Sequence, residues 1–206
     1  MLRSSRQRNG SQQQDLETRR KGEEMEFYIA LLRGVNVGGK NPVPMAQLKT
    51  ALEERGFSHV STYINSGNIL FASPRQDVIQ LQNCCRQVIL DRFGLDIAVA
   101  VLSAEDYQRA FSQTPSWWNQ DPQSKHMAIF VIAPEQADRL AQQVGLRPEY
   151  EQLSYSGSVI FWSAPKATFS KTKWSKVAMS TKYGNITVRN ANTANKLLLL
   201  SRQLQE

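Results

Sequence analysis

One order of elements occurs twice in this chain, and that repetition constrains the fold more than any single motif. In the first half, residues 27–32 form an unbroken apolar run, the pattern of a strand covered on both faces. Pro44 then opens a helix whose Met45, Leu48 and Leu52 fall at helical spacing, with Gly56 as its stop. A hairpin follows: residues 60–64, the turn Asn65-Ser66-Gly67-Asn68, then residues 69–72. Ser73-Pro74 reads as the start of a second helix, which carries Val78, Leu81, Cys85, Val88 and Ile89 and ends at Gly94. Residues 97–102 close the unit. The second half repeats this order with an apolar run at 127–133 and a Pro-opened, Gly-closed helix at 134–145. A hairpin through Ser156-Gly157-Ser158, a Lys-rich helical stretch ending at Gly184 and a strand at 186–188 complete it. The hairpins align directly, Ser66-Gly67-Asn68-Ile69-Leu70-Phe71 against Ser156-Gly157-Ser158-Val159-Ile160-Phe161.

This order predicts an α+β protein, a tandem duplication of ferredoxin-like (βαββαβ) subdomains with antiparallel sheets. The expected boundaries are 25–103 for the first subdomain and 104–206 for the second. Ser103-Ala104-Glu105-Asp106 has capping-box form and should start a linking helix through Phe111. A last helix from about Thr193, rich in leucine from Leu197 to Leu204, should pack on the second half or on a partner, so self-association through it is an expectation. Residues 1–24 carry almost no apolar side chains and fit a disordered extension upstream of a natural start at Met25.

No apolar run approaches the roughly 18 residues of a membrane span, and the polar front has no signal-peptide core. A cytoplasmic protein with no membrane partner is expected. The two cysteines, Cys84 and Cys85, are adjacent, which suits neither a disulfide framework nor a CxxC motif. His59 and His126 are the only histidines and lack any metal-ligand spacing, so no metal and no cofactor are expected. The net charge of +7 is concentrated at the end: from Pro165 onward there are eight Lys or Arg against one acid, Glu206. A basic end on a neutral body suits a phosphate-bearing partner, and equally suits a solvated lysine face.

The segment Arg33-Gly34-Val35-Asn36-Val37-Gly38-Gly39-Lys40-Asn41 lies between a strand and a helix. Gly34, Gly39 and Lys40 satisfy G-x-x-x-x-G-K, but Asn41 replaces the magnesium-binding Ser/Thr and Pro42 and Pro44 disturb the helix start. No later strand ends in a suitable aspartate, which argues against a nucleotide-hydrolysing loop. What remains is a glycine-rich turn flanked by Arg33 and Lys40, able to bind an anion through its N–H groups or required simply for its backbone angles. Together with Val43-Pro44-Met45, with Thr62-Tyr63-Ile64-Asn65-Ser66-Gly67-Asn68, and with Thr187-Val188-Arg189-Asn190, this loop resembles the bacterial "domain of unknown function 1697" family. The resemblance covers Met25 to about Leu200. It implies two ferredoxin-like subdomains in tandem and supplies no activity, substrate or catalytic residues.

A second candidate is the stretch 189–193, a strand end running into a helix that Asn192 or Thr193 can cap, with Arg189 near its positive end. The candidate ligand-binding set is Arg33, Asn36, Gly38, Gly39, Lys40, Asn68, Arg189 and Asn190, expected to share one groove if the loops meet. Trp117-Trp118 either stack on bases or plug a seam between the halves. Three functions stay open: a module binding a nucleotide or nucleic acid, an interaction or regulatory module, and an enzyme acting on a phosphorylated or acidic small molecule. No general base stands out for the last, and Phe71, Phe161 and Trp162 are a thin substitute for an RNA-stacking sheet face.

Overall fold

The computed structural model describes residues 24–180 and 183–204, so all of the expected N-terminal extension except Glu24, and Lys182, lie outside the described residues. The chain is an α+β protein with two four-stranded antiparallel sheets. The first contains β1 (Met25–Leu32), β2 (Ser58–Tyr63), β3 (Asn68–Pro74) and β4 (Val99–Ser103), in the order β2-β3-β1-β4. The second contains β5 (Ser124–Val131), β6 (Gln152–Ser156), β7 (Val159–Pro165) and β8 (Ile186–Asn190), in the order β6-β7-β5-β8. Helices α1 (Met45–Glu54) and α2 (Val78–Phe93) belong to the first half, and α3 (Ala104–Ser112) joins the two. Helix α4 (Ala137–Val144), a 3-10 turn (Lys166–Lys171), α5 (Lys173–Met179) and α6 (Ala191–Gln203) complete the second.

The apolar runs in β1 and β5 are explained by burial on both faces. Tyr28, Ala30 and Leu32 point into a core closed by α1 and α2, whereas Ile29 and Leu31 point the other way. Ile129 and Val131 likewise face a core closed by α4 and α5, while Ala128 and Phe130 join Ile29 and Leu31. This central core also holds Tyr107 and Phe111 of α3 and Ala194 and Leu197 of α6. Period-2 alternation is invisible in such strands because both sides are apolar. Trp118 belongs to the same core: it meets Phe111 and Phe161 edge-on, and its Nε1 donates to the Met127 carbonyl at 3.0 Å. Trp117 packs beside it, so the pair plugs the seam and is not a base-stacking platform. Phe71, Phe161 and Trp162 are fully buried, which closes the sheet faces as stacking surfaces.

Three helix starts differ from the sequence expectation. Pro134 does not open α4: it lies in a turn, and the helix begins at Ala137 after Gln136. Strand β3 runs on to Pro74 by pairing with Met25, and α2 begins after Asp77, whose carboxylate accepts from the Ile79 and Gln80 N–H groups. A carboxylate that caps two amides displaces the weaker Ser73-Pro74 start. Helix α6 begins at Ala191, capped by the Asn190 side chain, which accepts from Thr193 N at 2.8 Å. Asn192 and Thr193 therefore lie inside the helix. The capping role of Ser103 agrees with expectation: its Oγ accepts from Asp106 N at 3.0 Å.

Candidate functional site

The glycine-rich loop is a miniature hairpin. Lys40 N donates to the Val37 carbonyl at 3.1 Å, and Gly38 and Gly39 between them have φ of +58° and +74°. Two consecutive positive φ values inside such a bond are the type I′ pattern, which asks for glycine at both positions. Asn36 and Asn41 flank the turn, also at positive φ, and are joined by the Asn36 N–H to the Asn41 carbonyl at 3.2 Å. The Asn36 side chain donates to the Val43 and Asn65 carbonyls and accepts from Val43 N, tying the loop to the β2–β3 hairpin. Asn41 donates to the Gly34 carbonyl at 3.1 Å. The result is a braced projection that holds Val37, Gly38, Gly39 and Lys40 exposed at its tip.

Arg189 sits on β8, only 7% exposed, and points into the first half. Its Nη2 donates to the Leu32, Ser66 and Gly67 carbonyls at 2.9, 3.0 and 3.1 Å. Nη1 donates to Thr187 Oγ1 and the Val188 carbonyl, and Nε to Asn68 Oδ1. The Asn68 amide in turn donates to the Tyr63 carbonyl and Ser66 Oγ. Arg33 crosses in the opposite direction and donates to the Ile186 and Ser180 carbonyls. Two guanidiniums thus bolt the halves together through neutral oxygens. Burial lowers the pKa of both, that of Arg189 to about 10, so each still carries its charge at neutral pH. Among the described residues, no ion pair involves Arg33, Lys40 or Arg189.

These elements surround one open cleft of about 920 Å³, with Arg33, Gly34, Lys40, Ser66, Arg189 and Asn190 in its wall. The glycine loop, the β2–β3 hairpin and the start of α6 therefore meet, as the shared-groove expectation requires. Of the expected set, Arg33, Lys40, Arg189 and Asn190 line this cleft. Asn36 and Gly39 face the neighbouring hollow behind the loop, and Asn68 is fully buried behind Arg189. Asp96 is the acidic residue of the wall among the described residues, and it is paired with Arg86. The cleft is accordingly positive, with α6 presenting its N-terminal end to it. Sequence reasoning missed Ser180, Thr187 and the exposed Val37 and Ile64 in the same wall. Only the positions of the surrounding strands reveal them.

The described residues contain no group of three or more His, Cys, Asp or Glu side chains able to hold a metal ion, and no helix long and apolar enough to cross a membrane. The family described as a protein of unknown function, DUF1697, matches residues 25–161. No curated protein matches the chain. Among solved structures, the conserved bacterial protein SP0830 from Streptococcus pneumoniae is similar, at 33% identity and a TM-score of 0.74, covering 86% of this chain and 99% of that one. The chain therefore belongs to the DUF1697 family.

Proposed function

We propose that this protein is a cytoplasmic binding protein for a phosphate-bearing ligand, held in the cleft between its two halves. The carrying observation is the charge imbalance: Arg33, Lys40 and Arg189 line one cleft without a carboxylate partner, and the one acid in its described wall is already paired. Arg189 is buried and Arg33 half-buried, and neither guanidinium meets a carboxylate among the described residues, so an anion entering the cleft would offset charge that the protein leaves uncompensated. Roles within the set differ. Arg33 and Arg189 supply field, because their hydrogen bonds go to protein carbonyls. Lys40, Asn190 and the first free N–H groups of α6 are the direct anion donors. Asn36, Asn68, Gly38 and Gly39 set the shape of the loops that carry them. The reading assigns binding and no catalytic step, since the one carboxylate in the described wall, Asp96, is paired with Arg86.

The same reading treats residues 25–103 and 104–206 as duplicated ferredoxin-like subdomains. Matching strand orders support it, as do matching bonds from each first strand, Leu32 N to the Gly67 carbonyl and Val131 N to the Ser158 carbonyl. In that correspondence Leu102 and Arg189 occupy equivalent places before the α3 and α6 caps, so the charge is what sets the second half apart. Amide chemical shifts on titration with inorganic phosphate test the binding reading. Gly38, Gly39, Lys40, Ala191 and Asn192 should move together and saturate. Shifts scattered over the exposed lysines of the 3-10 turn and α5 would contradict it.

A further inference from the structure

The cleft is far larger than a phosphate group needs, and part of its wall is the wrong chemistry for an anion. Val37 at the tip of the glycine loop is 62% exposed, and Ile64 on the β2–β3 hairpin is 50% exposed. Both line the cleft, from two separate loops. Ile64 also has φ of +49°, a left-handed conformation that β-branched residues avoid. Neighbouring turn positions hold Asn65 and Gly67, residues that suit such angles, yet the strained position carries isoleucine. Burial does not compensate this strain, because half of the side chain faces solvent. A strained, exposed apolar residue aimed at a cavity marks a contact made with something that enters it.

Resting on the anion reading above, we infer that the ligand is a nucleoside monophosphate, its phosphate at Lys40 and the α6 N-terminus and its base laid against Val37 and Ile64. The chemistry of the wall divides accordingly. Lys40 and the start of α6 supply cationic and N–H donors, while Ile64 and Val37, the latter hydrogen-bonded to Lys40 across the tip of the loop, supply aliphatic surface beside them suited to the flat face of a heterocycle. A volume of about 920 Å³ accommodates such a molecule, and lies in the range of small-molecule sites. Aliphatic contacts read the presence of a base and not its edge, so the preference is for a base-bearing phosphate over a bare sugar phosphate.

Calorimetric titration of the full chain with AMP, ribose 5-phosphate and inorganic phosphate, at constant ionic strength, tests this. AMP should bind at least about tenfold more tightly than ribose 5-phosphate, since the base covers aliphatic surface of Val37 and Ile64 that the sugar phosphate leaves exposed to water. Ile64→Asn should fold with an unchanged or higher melting temperature, because asparagine tolerates the left-handed angle. It should lose most of the AMP preference and keep ribose 5-phosphate affinity within about threefold; Val37→Ser should act in the same direction. Equal affinities for AMP and ribose 5-phosphate would overturn the nucleotide assignment and leave the anion site standing. Retention of the full AMP preference in both variants would overturn it too. Failure of all three phosphates to bind would overturn both readings.

Discussion

Replacing Arg189 by alanine leaves the buried Asn68 Oδ1 without a donor and removes one of two donors from the Leu32 and Gly67 carbonyls, which keep Thr187 Oγ1 and Leu32 N. One orphaned buried acceptor together with the lost bonds across the seam should cost about 2 kcal/mol or more by urea denaturation. Arg189→Lys should recover less than half of that loss, because an ammonium cannot span the same acceptors. Lys40→Ala makes the opposite comparison: with an exposed and unpaired side chain, it should change stability by no more than about 0.5 kcal/mol. The sign of the Arg189 pKa shift agrees with this division of labour. Its folded value of about 10 is below the ordinary 12.5, so the unfolded chain holds that proton more firmly. A burial penalty is therefore present at every pH below about 10, and a bound anion would reduce it. None of this was visible at residue 189 in the sequence, where the arginine read as a candidate anion ligand near a helix end. Its acceptors come from residues 32 and 66–68, more than a hundred positions away.

At the scale of elements, the two classes of glycine make different demands. Gly38 and Gly39 have open space where a Cβ would go, so alanine there meets only the backbone strain, about 1 kcal/mol each. At Gly67 a Cβ would lie 2.6 Å from both Leu32 Cβ and Val35 Cγ2, against a fully packed core. Gly67→Ala should therefore cost clearly more than Gly38→Ala or Gly39→Ala, and equal midpoints in thermal unfolding would refute the distinction. Asp77→Ala should cost about 1 kcal/mol, since two amides of α2 lose their acceptor. Most elements were legible from local signals, including the Pro44 start of α1, the Gly94 stop of α2 and the Ser103 cap of α3. The starts of α2, α4 and α6 were not. At α2 and α6 several short polar residues in a row are competent caps, and strand pairing decides which one is reached; at α4 a turn through Pro134 and Glu135 precedes the helix.

Over the whole molecule, the central core makes each half depend on the other. Among the described residues, Ile29, Leu31, Leu70 and Leu102 of the first sheet share a core with α3, α6, Trp118 and the second sheet. Residues 25–103 expressed alone should expose this face and fail to give dispersed amide resonances, while the full chain should unfold in one cooperative transition. A well-folded isolated half would show that the shared core is dispensable. The α+β class, the antiparallel sheets and the doubly covered central strands could be read from the sequence. The shared core could not, because an apolar run states that both faces are buried and not what buries them. The same packing brings the glycine loop and the start of α6 to one cleft, and the account of function rests on that meeting.

The most direct test of that account is the melting temperature of the wild-type chain and of Lys40→Ala with and without millimolar pyrophosphate, at matched ionic strength. Preferential binding to the folded state should raise the wild-type value by several degrees and the variant's by little, as a ligand held at 100 times its dissociation constant adds about 2.7 kcal/mol. An equal rise in both proteins, or no rise in either, would contradict an anion site built on Lys40 in the cleft between the sheets.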